Sequence, residues 1–280
     1  MRNLAVAVAA LWAVFAVAAP VRVVSLSPAV TEMALALGCR GQLAGRSSAC
    51  DQPEARAIPV VGDLGRPFVE PLLQSGARVV VTDMQVPGPQ WAALKKFGVS
   101  VVVLPAEKLS DLPDNLRRMG RILGCEARSE TLARTMTEEL ADLRRTPPPR
   151  RVRTLVVLGL PPVVSCGKGS FVTDALALAG LDNIAASASD GYFILSTELI
   201  HRADPELILS FVPEAATLRY FSRREYRGMA AVKARRFRYP PIEELCRLTP
   251  KLPAALRRLR SDVEREFPQQ SPEKAVELRH

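Results

Sequence analysis

The longest regular pattern of apolar and polar positions lies near the middle of the chain. Over residues 127–146, apolar side chains recur every three or four positions, which places them on one stripe of an α-helix, and charged residues fill the other faces. The stripe comprises Leu132, Met136, Leu140 and Leu143. Pro147, Pro148 and Pro149 then end the run, because proline cannot continue a helix. The pattern predicts a helix of about 30 Å, which either lies on the surface of one domain or connects two.

Short β-branched strands alternate with helices before this run. Strands are predicted at residues 22–26, 42–45, 77–82 and 99–104, and helices at 28–37, 70–76, 89–97 and 111–123. Ser27 and Pro28 supply the capping residue and the first-turn proline of one helix, and Gly38 ends it. This alternation predicts an α/β fold built on a parallel sheet.

The same order of elements recurs after the prolines. Four segments of the first half have counterparts, in the same order, in the second half. The pairs are RVVSLSP from Arg22 with RTLVVLGLPP from Arg153, TEMALALG from Thr31 with TDALALAG from Thr173, EPLLQSGARVVV from Glu70 with ELIHRADPELIL from Glu198, and WAALKKFGVSVVVLP from Trp91 with YRGMAAVKARRFRYP from Tyr226. The repeat favours an internal duplication, with one copy on each side of the long helix.

The duplication predicts a specific architecture. We expect two Rossmann-like lobes, each a parallel-sheet sandwich, at residues 20–126 and 148–280, joined by one long α-helix at 127–147. Ligands of open parallel sheets bind beyond the carboxyl ends of the strands. Two such lobes facing each other would therefore enclose a ligand cleft lined by the loops that follow the strands.

The first 19 residues have the pattern of a secretory leader. Arg2 precedes an apolar run over residues 4–16, and Ala16 and Ala18 form a small-residue cleavage site. An uncleaved anchor is the alternative, although the run is shorter than the roughly 20 residues that a bilayer span needs. No cysteine lies near the site, so a lipoprotein anchor is not indicated. We expect the mature chain to be exported and soluble.

Composition narrows the function classes. The 48% of hydrophobic residues allows each lobe a packed core. The net charge of +9 would suit an anionic partner, but the lysines and arginines are scattered and aromatic residues make up only 5%, which disfavours nucleic acid binding. His201 and His280 are the only histidines, so a histidine-rich zinc site is excluded.

The five cysteines leave at least one unpaired if every disulfide is intramolecular. Cys39 and Cys125 each follow a Leu-Gly helix ending and could pair away from the cleft. Cys50, Cys166 and Cys246 fall in predicted cleft loops. A disulfide, a buried free thiol, and contact with a metal or chelate remain open for these three.

No catalytic motif emerges from the chain. The SCGKGS segment at Ser165 lacks the spacing of a phosphate-binding loop, and neither G-x-S-x-G nor H-E-x-x-H occurs. His201 lies within an apolar helical repeat, where packing or solvent exposure is the simpler interpretation. A two-lobed α/β transferase or reductase acting on a small anionic substrate is the alternative to a binding protein.

Several segments together resemble one known family, the bacterial ABC-importer substrate-binding proteins whose two lobes are joined by a single long helix. The resemblance covers residues 21–267, and cobalamin, haem and ferric siderophore binders belong to this family. Its segments are RVVSLSPAVTEMALALG, GRSSACDQPEARAIPVVGD, GKGSFVTDALALAGLDNIAA, LSTELIHRADPELIL and AVKARRFRYPPIEELCRLTP. The cobalamin-binding branch is the most similar.

The resemblance implies a periplasmic receptor, acting as a monomer, that delivers its ligand to an inner-membrane permease dimer. It implies no catalytic residue, no resident cofactor and no metal site of the protein's own. An acidic residue on each lobe pairs with permease arginines in the family, and the matching positions here are Glu70 and Glu198. Each glutamate could instead simply favour a helix N-terminus through the helix dipole.

The ligand site implied by the resemblance is less aromatic than that of cobalamin binders. The matching cleft positions hold Ala49, Leu64, Asp83 and Leu158, and only Tyr192 is aromatic. Glu243 and Arg247 match a polar pair on the C-terminal side of the cleft. The predicted ligand-binding set is Arg46, Ser47, Arg66, Asp83, Lys168, Tyr192, Glu243 and Arg247. Its positive charge favours an anionic metal chelate, which leaves cobalamin, haem and a ferric siderophore as candidate ligands.

Overall fold

The computed structural model describes residues 21–268. The predicted leader at residues 1–19 lies outside this range. Among the described residues, no helix combines the length and the apolar character needed to cross a membrane.

The first lobe is a six-stranded sheet flanked by helices. Its elements are β1 (Val23–Ser25), α1 (Pro28–Ala36), β2 (Leu43–Ser47), β3 (Val60–Asp63), β4 (Arg66–Pro67), α2 (Val69–Gln74), β5 (Val79–Thr82), α3 (Pro89–Lys96), β6 (Ser100–Val103) and α4 (Asp111–Leu123). The strand order is β4-β3-β2-β1-β5-β6, and the pairings are parallel except that β4 runs antiparallel to β3.

Local sequence explains the first turn of this sheet. The Ser27 hydroxyl accepts a hydrogen bond from the Ala29 N–H at 3.2 Å, and Pro28 occupies the first helical position, where its missing N–H costs nothing. Gly38 follows α1 with a φ of +67°, a left-handed conformation that glycine adopts without strain. The predicted helix over residues 28–37 is confirmed.

The long helix is α5 (Glu126–Arg145). It pairs with α4, and its other neighbour is the C-terminal helix α11 (Leu252–Glu266). The buried side chains of α5 are Ser129, Ala133, Met136, Leu140 and Leu143. The predicted stripe faces the core: Met136, Leu140 and Leu143 are buried, and the partly buried Leu132 packs against the same cluster. Ser129 and Ala133 extend the buried stripe toward the N-terminus.

The second lobe has a four-stranded parallel sheet and a separate antiparallel pair of strands. Its elements are β7 (Val152–Val157), β8 (Val164–Cys166), α6 (Phe171–Leu178), β9 (Leu181–Asn183), β10 (Tyr192–Ile194), α7 (Thr197–Ala203), β11 (Leu207–Ser210), α8 (Glu214–Phe221), α9 (Ala230–Lys233), β12 (Phe237–Arg238) and α10 (Ile242–Leu245), followed by α11. The sheet order is β12-β11-β7-β9, and β8 pairs with β10 in antiparallel fashion.

The two lobes share one strand topology. The order β6-β5-β1-β2 in the first lobe corresponds to β12-β11-β7-β9 in the second, and the repeated sequence segments supply three of the four equivalent strand pairs, all except β2 with β9. The prediction of two α/β lobes built on parallel sheets is therefore confirmed. The antiparallel strand β4 and the antiparallel β8–β10 pair depart from an all-parallel arrangement.

The hydrophobic core continues across both lobes. Its largest cluster includes Val23 and Met33 from the first lobe, Leu140 from α5, Val156 from the second lobe and Leu256 from α11. Arg260 on α11 donates hydrogen bonds to the Leu143 carbonyl at 3.0 Å and the Leu178 carbonyl at 2.6 Å, so one cation satisfies the C-terminal ends of α5 and α6. The lobes are thus joined by packed side chains as well as by the connecting helix.

Candidate functional site

The first lobe has a partly buried carboxyl group at the carboxyl end of its central strands. Asp83 directly follows β5 and is partly buried. Burial raises the pKa of the Asp83 carboxyl, and the Ser27 hydroxyl and the Arg247 guanidinium lower it by less. Asp83 is therefore a cleft acid that holds its proton more tightly than an exposed aspartate.

The antiparallel β8–β10 pair lies on the opposite side of the cleft. Tyr192 is 60% exposed, and the Ser170 hydroxyl donates to its hydroxyl oxygen at 3.4 Å. Desolvation of this polar end raises the pKa of the Tyr192 phenol. An open cavity of about 530 Å³ lies here, lined by Ala106 and Glu107 from the first lobe and by Lys168 and Tyr192 from the second. The sequence-predicted Lys168 and Tyr192 thus share one cavity between the lobes.

Arg247 bridges the lobes. Its two terminal nitrogens donate to the two carboxylate oxygens of Asp51 at 2.8 and 2.6 Å, a bidentate pair between the loop after β2 and the segment after α10. The Arg247 bond holds the pKa of Asp51 below its usual range. Glu243 stands in the first turn of α10 and is partly buried.

A second bridge joins α1 to the segment before α11. The Glu32 carboxylate, 4% exposed, accepts from the Thr249 hydroxyl at 2.9 Å and lies 3.3 Å from the Lys251 ammonium nitrogen. Its second oxygen is buried and has no protein partner among the described residues. Sequence reasoning missed this bridge. The available signal was a single charged residue, Glu32, inside the otherwise uncharged run of α1.

Two predicted ligand residues make their contacts within the loop after β2. Arg46 donates to the carbonyl oxygens of Ala55 at 2.9 Å, Ser47 at 3.0 Å and Cys50 at 3.2 Å. Ser47 is 0% exposed and lies 3.3 Å from the Cys50 sulfur. Arg46 therefore organises the loop, and Ser47 is closed off from solvent. A ligand contact by either side chain stays a prediction.

Arg66 and the two predicted docking glutamates are all exposed. Arg66 stands on the β3–β4 hairpin. Glu70 lies in the first turn of α2 and accepts a hydrogen bond from the Gln74 amide at 3.3 Å. Glu198 lies in the first turn of α7, the equivalent helix of the second lobe. Within residues 21–268, neither glutamate belongs to an ion pair.

The five cysteines are all present as thiols. Cys50 lies 3.1 Å from the Thr31 hydroxyl, and Cys166 is contacted by the Thr173 hydroxyl and the Asn183 amide. Burial raises the pKa of the Cys246 thiol. In the described part of the chain, no three histidine, cysteine or acidic side chains come together in a group that could hold a metal ion.

Comparison with known proteins places this arrangement in a family. The sequence matches the family described as periplasmic binding protein over residues 23–242. It is 27% identical over 199 residues to a vitamin B12-binding protein of Pectobacterium carotovorum, covering 69% of this chain and 72% of that protein. The chain therefore belongs to the periplasmic binding protein family.

Solved structures share the fold. The periplasmic vitamin B12-binding protein of Vibrio cholerae superposes with a TM-score of 0.76 at 21% identity, over 89% of this chain and 99% of that one. The periplasmic haem-binding protein of Vibrio cholerae superposes with a TM-score of 0.77 at 21% identity, over 87% and 98% of the two chains. The family match over residues 23–242 favours a binding protein over the enzyme hypothesis.

Proposed function

We propose that this protein is the solute-binding component of an ABC importer, which captures a metal chelate between its lobes and delivers it to an inner-membrane permease. The observation that carries the proposal is the cavity between the two lobes of this periplasmic binding protein. Lys168 and Tyr192 of the second lobe line it together with Ala106 and Glu107 of the first, and Asp83 lies near enough to Tyr192 to raise the pKa of its phenol. The lobes would act as the two halves of a clamp around one ligand.

The chemistry of the cleft favours an amphiphilic, anionic ligand. Lys168 supplies an exposed positive charge within the cavity, and Arg66 lies exposed on the first lobe. Leu64, Met84 and Tyr192 expose apolar surface near the strand ends. A chelate with a broad apolar face and peripheral carboxylates matches both features. Relatives that bind vitamin B12 or haem support this ligand class, and a ferric siderophore remains a third candidate.

Glu70 and Glu198 fit a docking role. Both are exposed, both stand in the first turn of equivalent helices, and both precede a central strand of their lobe. Two carboxylates at equivalent positions would present matching acceptors to arginines on the two halves of a permease dimer.

The proposal includes export through the leader at residues 1–19, function as a periplasmic monomer, and no lipid anchor, since no cysteine lies near the cleavage site.

We expect the double variant Glu70→Ala/Glu198→Ala to lose uptake of the ligand while keeping its affinity. The reason is that neither side chain lines the cleft, whereas both would contact the permease. The measurement pairs uptake by cells that express the permease with calorimetric binding to the purified receptor. The matched control is Glu54→Ala/Glu225→Ala, which removes one exposed glutamate from each lobe at non-equivalent positions. Loss of affinity, or equal loss of uptake in the control, would contradict docking.

Ligand identity is tested separately. Purified protein should bind one of cobalamin, haem or a ferric siderophore with a stoichiometry of one, as followed by calorimetry and by the absorption spectrum of the chelate. Incubation with the same compounds should leave them chemically unchanged. Conversion of any of them to a product would instead support the transferase or reductase hypothesis.

A further inference from the structure

Two buried cysteines meet where the first lobe joins the long helix. Cys39 follows the C-terminal end of α1, and Cys125 caps the N-terminus of α5. Their sulfur atoms lie 3.3 Å apart, and the residues are 3% and 8% exposed. Both follow a glycine in the left-handed conformation, Gly38 and Gly124, so two sharp helix endings deliver the two thiols to one point.

We propose that Cys39 and Cys125 form a disulfide bond when the protein folds in an oxidising environment. Both S–H bonds break, both protons leave, and one S–S bond forms. The two electrons pass to a disulfide oxidant, either a thiol–disulfide oxidoreductase or oxidised glutathione, whose own S–S bond breaks to give two thiols. Bonded sulfurs lie about 2.05 Å apart, so the sulfurs need to approach by only slightly more than 1 Å, which small side-chain rotations can supply.

The surroundings distinguish this pair from the other cysteines. Cys50 is contacted by the hydroxyls of Thr31 and Ser47, and Cys166 is contacted by Thr173 and Asn183. The Cys39 thiol is hydrogen-bonded to the Leu37 carbonyl at 3.3 Å and to the Cys125 sulfur, and its sulfur also accepts from the Arg128 guanidinium at 3.7 Å. Among these cysteines, the contact between Cys39 and Cys125 is the one that brings two sulfurs together in the described residues.

Burial indicates when the bond forms. Desolvation and the neighbouring Cys39 sulfur raise the pKa of Cys125 to about 11. Since the thiolate is the species that attacks a disulfide, the Cys125 thiol would react slowly in the folded protein at neutral pH. The bond should therefore close during folding, before the thiols are buried.

The bond would fix the long helix to the first lobe. It spans 86 positions of sequence, from the end of α1 to the start of α5, and encloses the strands from β2 to β6. The N-terminal end of α5 could then not separate from the first lobe. This inference goes beyond the transport role and depends on export only for the source of the oxidant.

Peptide mapping tests the bond without reference to transport. The full chain is refolded from the reduced, unfolded state in a glutathione redox buffer, free thiols are alkylated in denaturant, and tryptic peptides are identified by mass. Cleavage after arginine places Cys39 in a peptide of residues 23–40 and Cys125 in one of residues 122–128, each with no other cysteine. We expect these two peptides to be joined. Alkylation of both cysteines, or linkage of either one to another cysteine, would overturn the proposal.

Thermal unfolding supplies the second measurement. A cross-link that closes a loop of this length should raise the melting temperature by about 10 °C relative to protein refolded with a phosphine reductant throughout. Cys39→Ser/Cys125→Ser should abolish that difference, whereas the control Cys50→Ser should retain it. A wild-type protein whose melting temperature is the same in both preparations would overturn the proposal.

Discussion

Asp83 shows how burial and charge compete at a single residue. Arg247 and the Ser27 hydroxyl both favour its ionised form, yet desolvation outweighs them and the pKa rises. The free protein therefore carries an acid that opposes folding once it ionises. Such a residue is expected at a binding site, where a hydrogen-bond donor of the ligand can stabilise the ionised carboxylate.

We predict that Asp83→Asn stabilises the free protein at neutral pH by about 1 kcal/mol. Because the folded-state pKa is raised, Asp83 contributes its stability below the unfolded-state pKa of about 3.9 and loses it as pH rises through the folded-state value. The gain should therefore be present at pH 7 and shrink toward pH 3.5, as measured by urea unfolding.

The matched control for this prediction is Asp190→Asn, which alters an exposed aspartate that lines the cavity beside Tyr192. It should change the free energy of unfolding by less than about 0.5 kcal/mol. A gain for Asp83→Asn that is equal at both pH values would show that ionisation of Asp83 does not cause the effect.

Individual site residues were predictable only as far as topology positions them. Asp83 follows β5, a strand whose cleft-facing end the α/β pattern predicts. Tyr192 was given by the family resemblance and lies on β10, a strand that the pattern does not reveal. For Arg46, residue type alone does not reveal that its donors reach nearby loop carbonyls. Glu32 was missed because its partner Thr249 lies 217 positions away in sequence.

At the scale of elements, the pairing of α4 with α5 depends on one glycine. Gly120 lies in α4, and a Cβ atom there would overlap the Ser129 side chain of α5. The Ser129 hydroxyl donates to the Glu126 carbonyl at 2.9 Å, which holds this side chain in place. The two helices can approach closely only where α4 has no side chain, and Arg117 with Glu130 adds an exposed ion pair alongside at 2.8 Å.

We predict that Gly120→Ala destabilises the protein by about 1–3 kcal/mol, since overpacking forces the two helices apart. The expected gain in helix propensity, about 1 kcal/mol, should be outweighed. The measurement is the free energy of unfolding in urea. Gly228→Ala is the control, because a Cβ atom there meets no other atom within 4 Å. A neutral or stabilising effect at Gly120 would contradict close packing of α4 against α5.

The helices and parallel strands were predictable because their periodicity is local. The helix at residues 111–123 was predicted with the bounds that α4 has, and the repeated segments predicted two similar lobes, which agrees with their shared strand topology. The antiparallel pairing of β8 with β10 was not predicted. Its strands have three residues each and are separated by α6 and β9, so no alternating pattern or short turn reveals their pairing.

At the scale of the whole molecule, three features limit relative movement of the lobes. The core cluster is continuous through α5 and α11, α5 contains neither glycine nor proline, and two polar bridges cross between the lobes at Asp51–Arg247 and Glu32–Thr249. Sharp helix bends need a proline, a glycine or a bulge. A hinge within α5 is therefore disfavoured by its sequence as well as by its packing.

We predict that ligand binding changes the angle between the lobes only slightly. Crystal structures of the free and bound protein should superpose as whole chains, and the radius of gyration from small-angle X-ray scattering should be nearly unchanged. The helix and the core, more than the polar bridges, should impose this limit. The Asp51 side chain is 52% exposed, so solvent screens its pair with Arg247, which is worth about 1 kcal/mol. The apolar contacts along α5 and α11 involve many buried side chains.

The variant Asp51→Asn/Thr249→Val separates the two causes. It removes one partner from each polar bridge but leaves the apolar core and α5 intact. If helix and core set the limit, the variant should remain as compact as the wild type without ligand and should show the same small change on binding. An expanded free state that closes on adding the chelate would assign the limit to the bridges, and a large hinge movement in the wild type would contradict a rigid connection altogether.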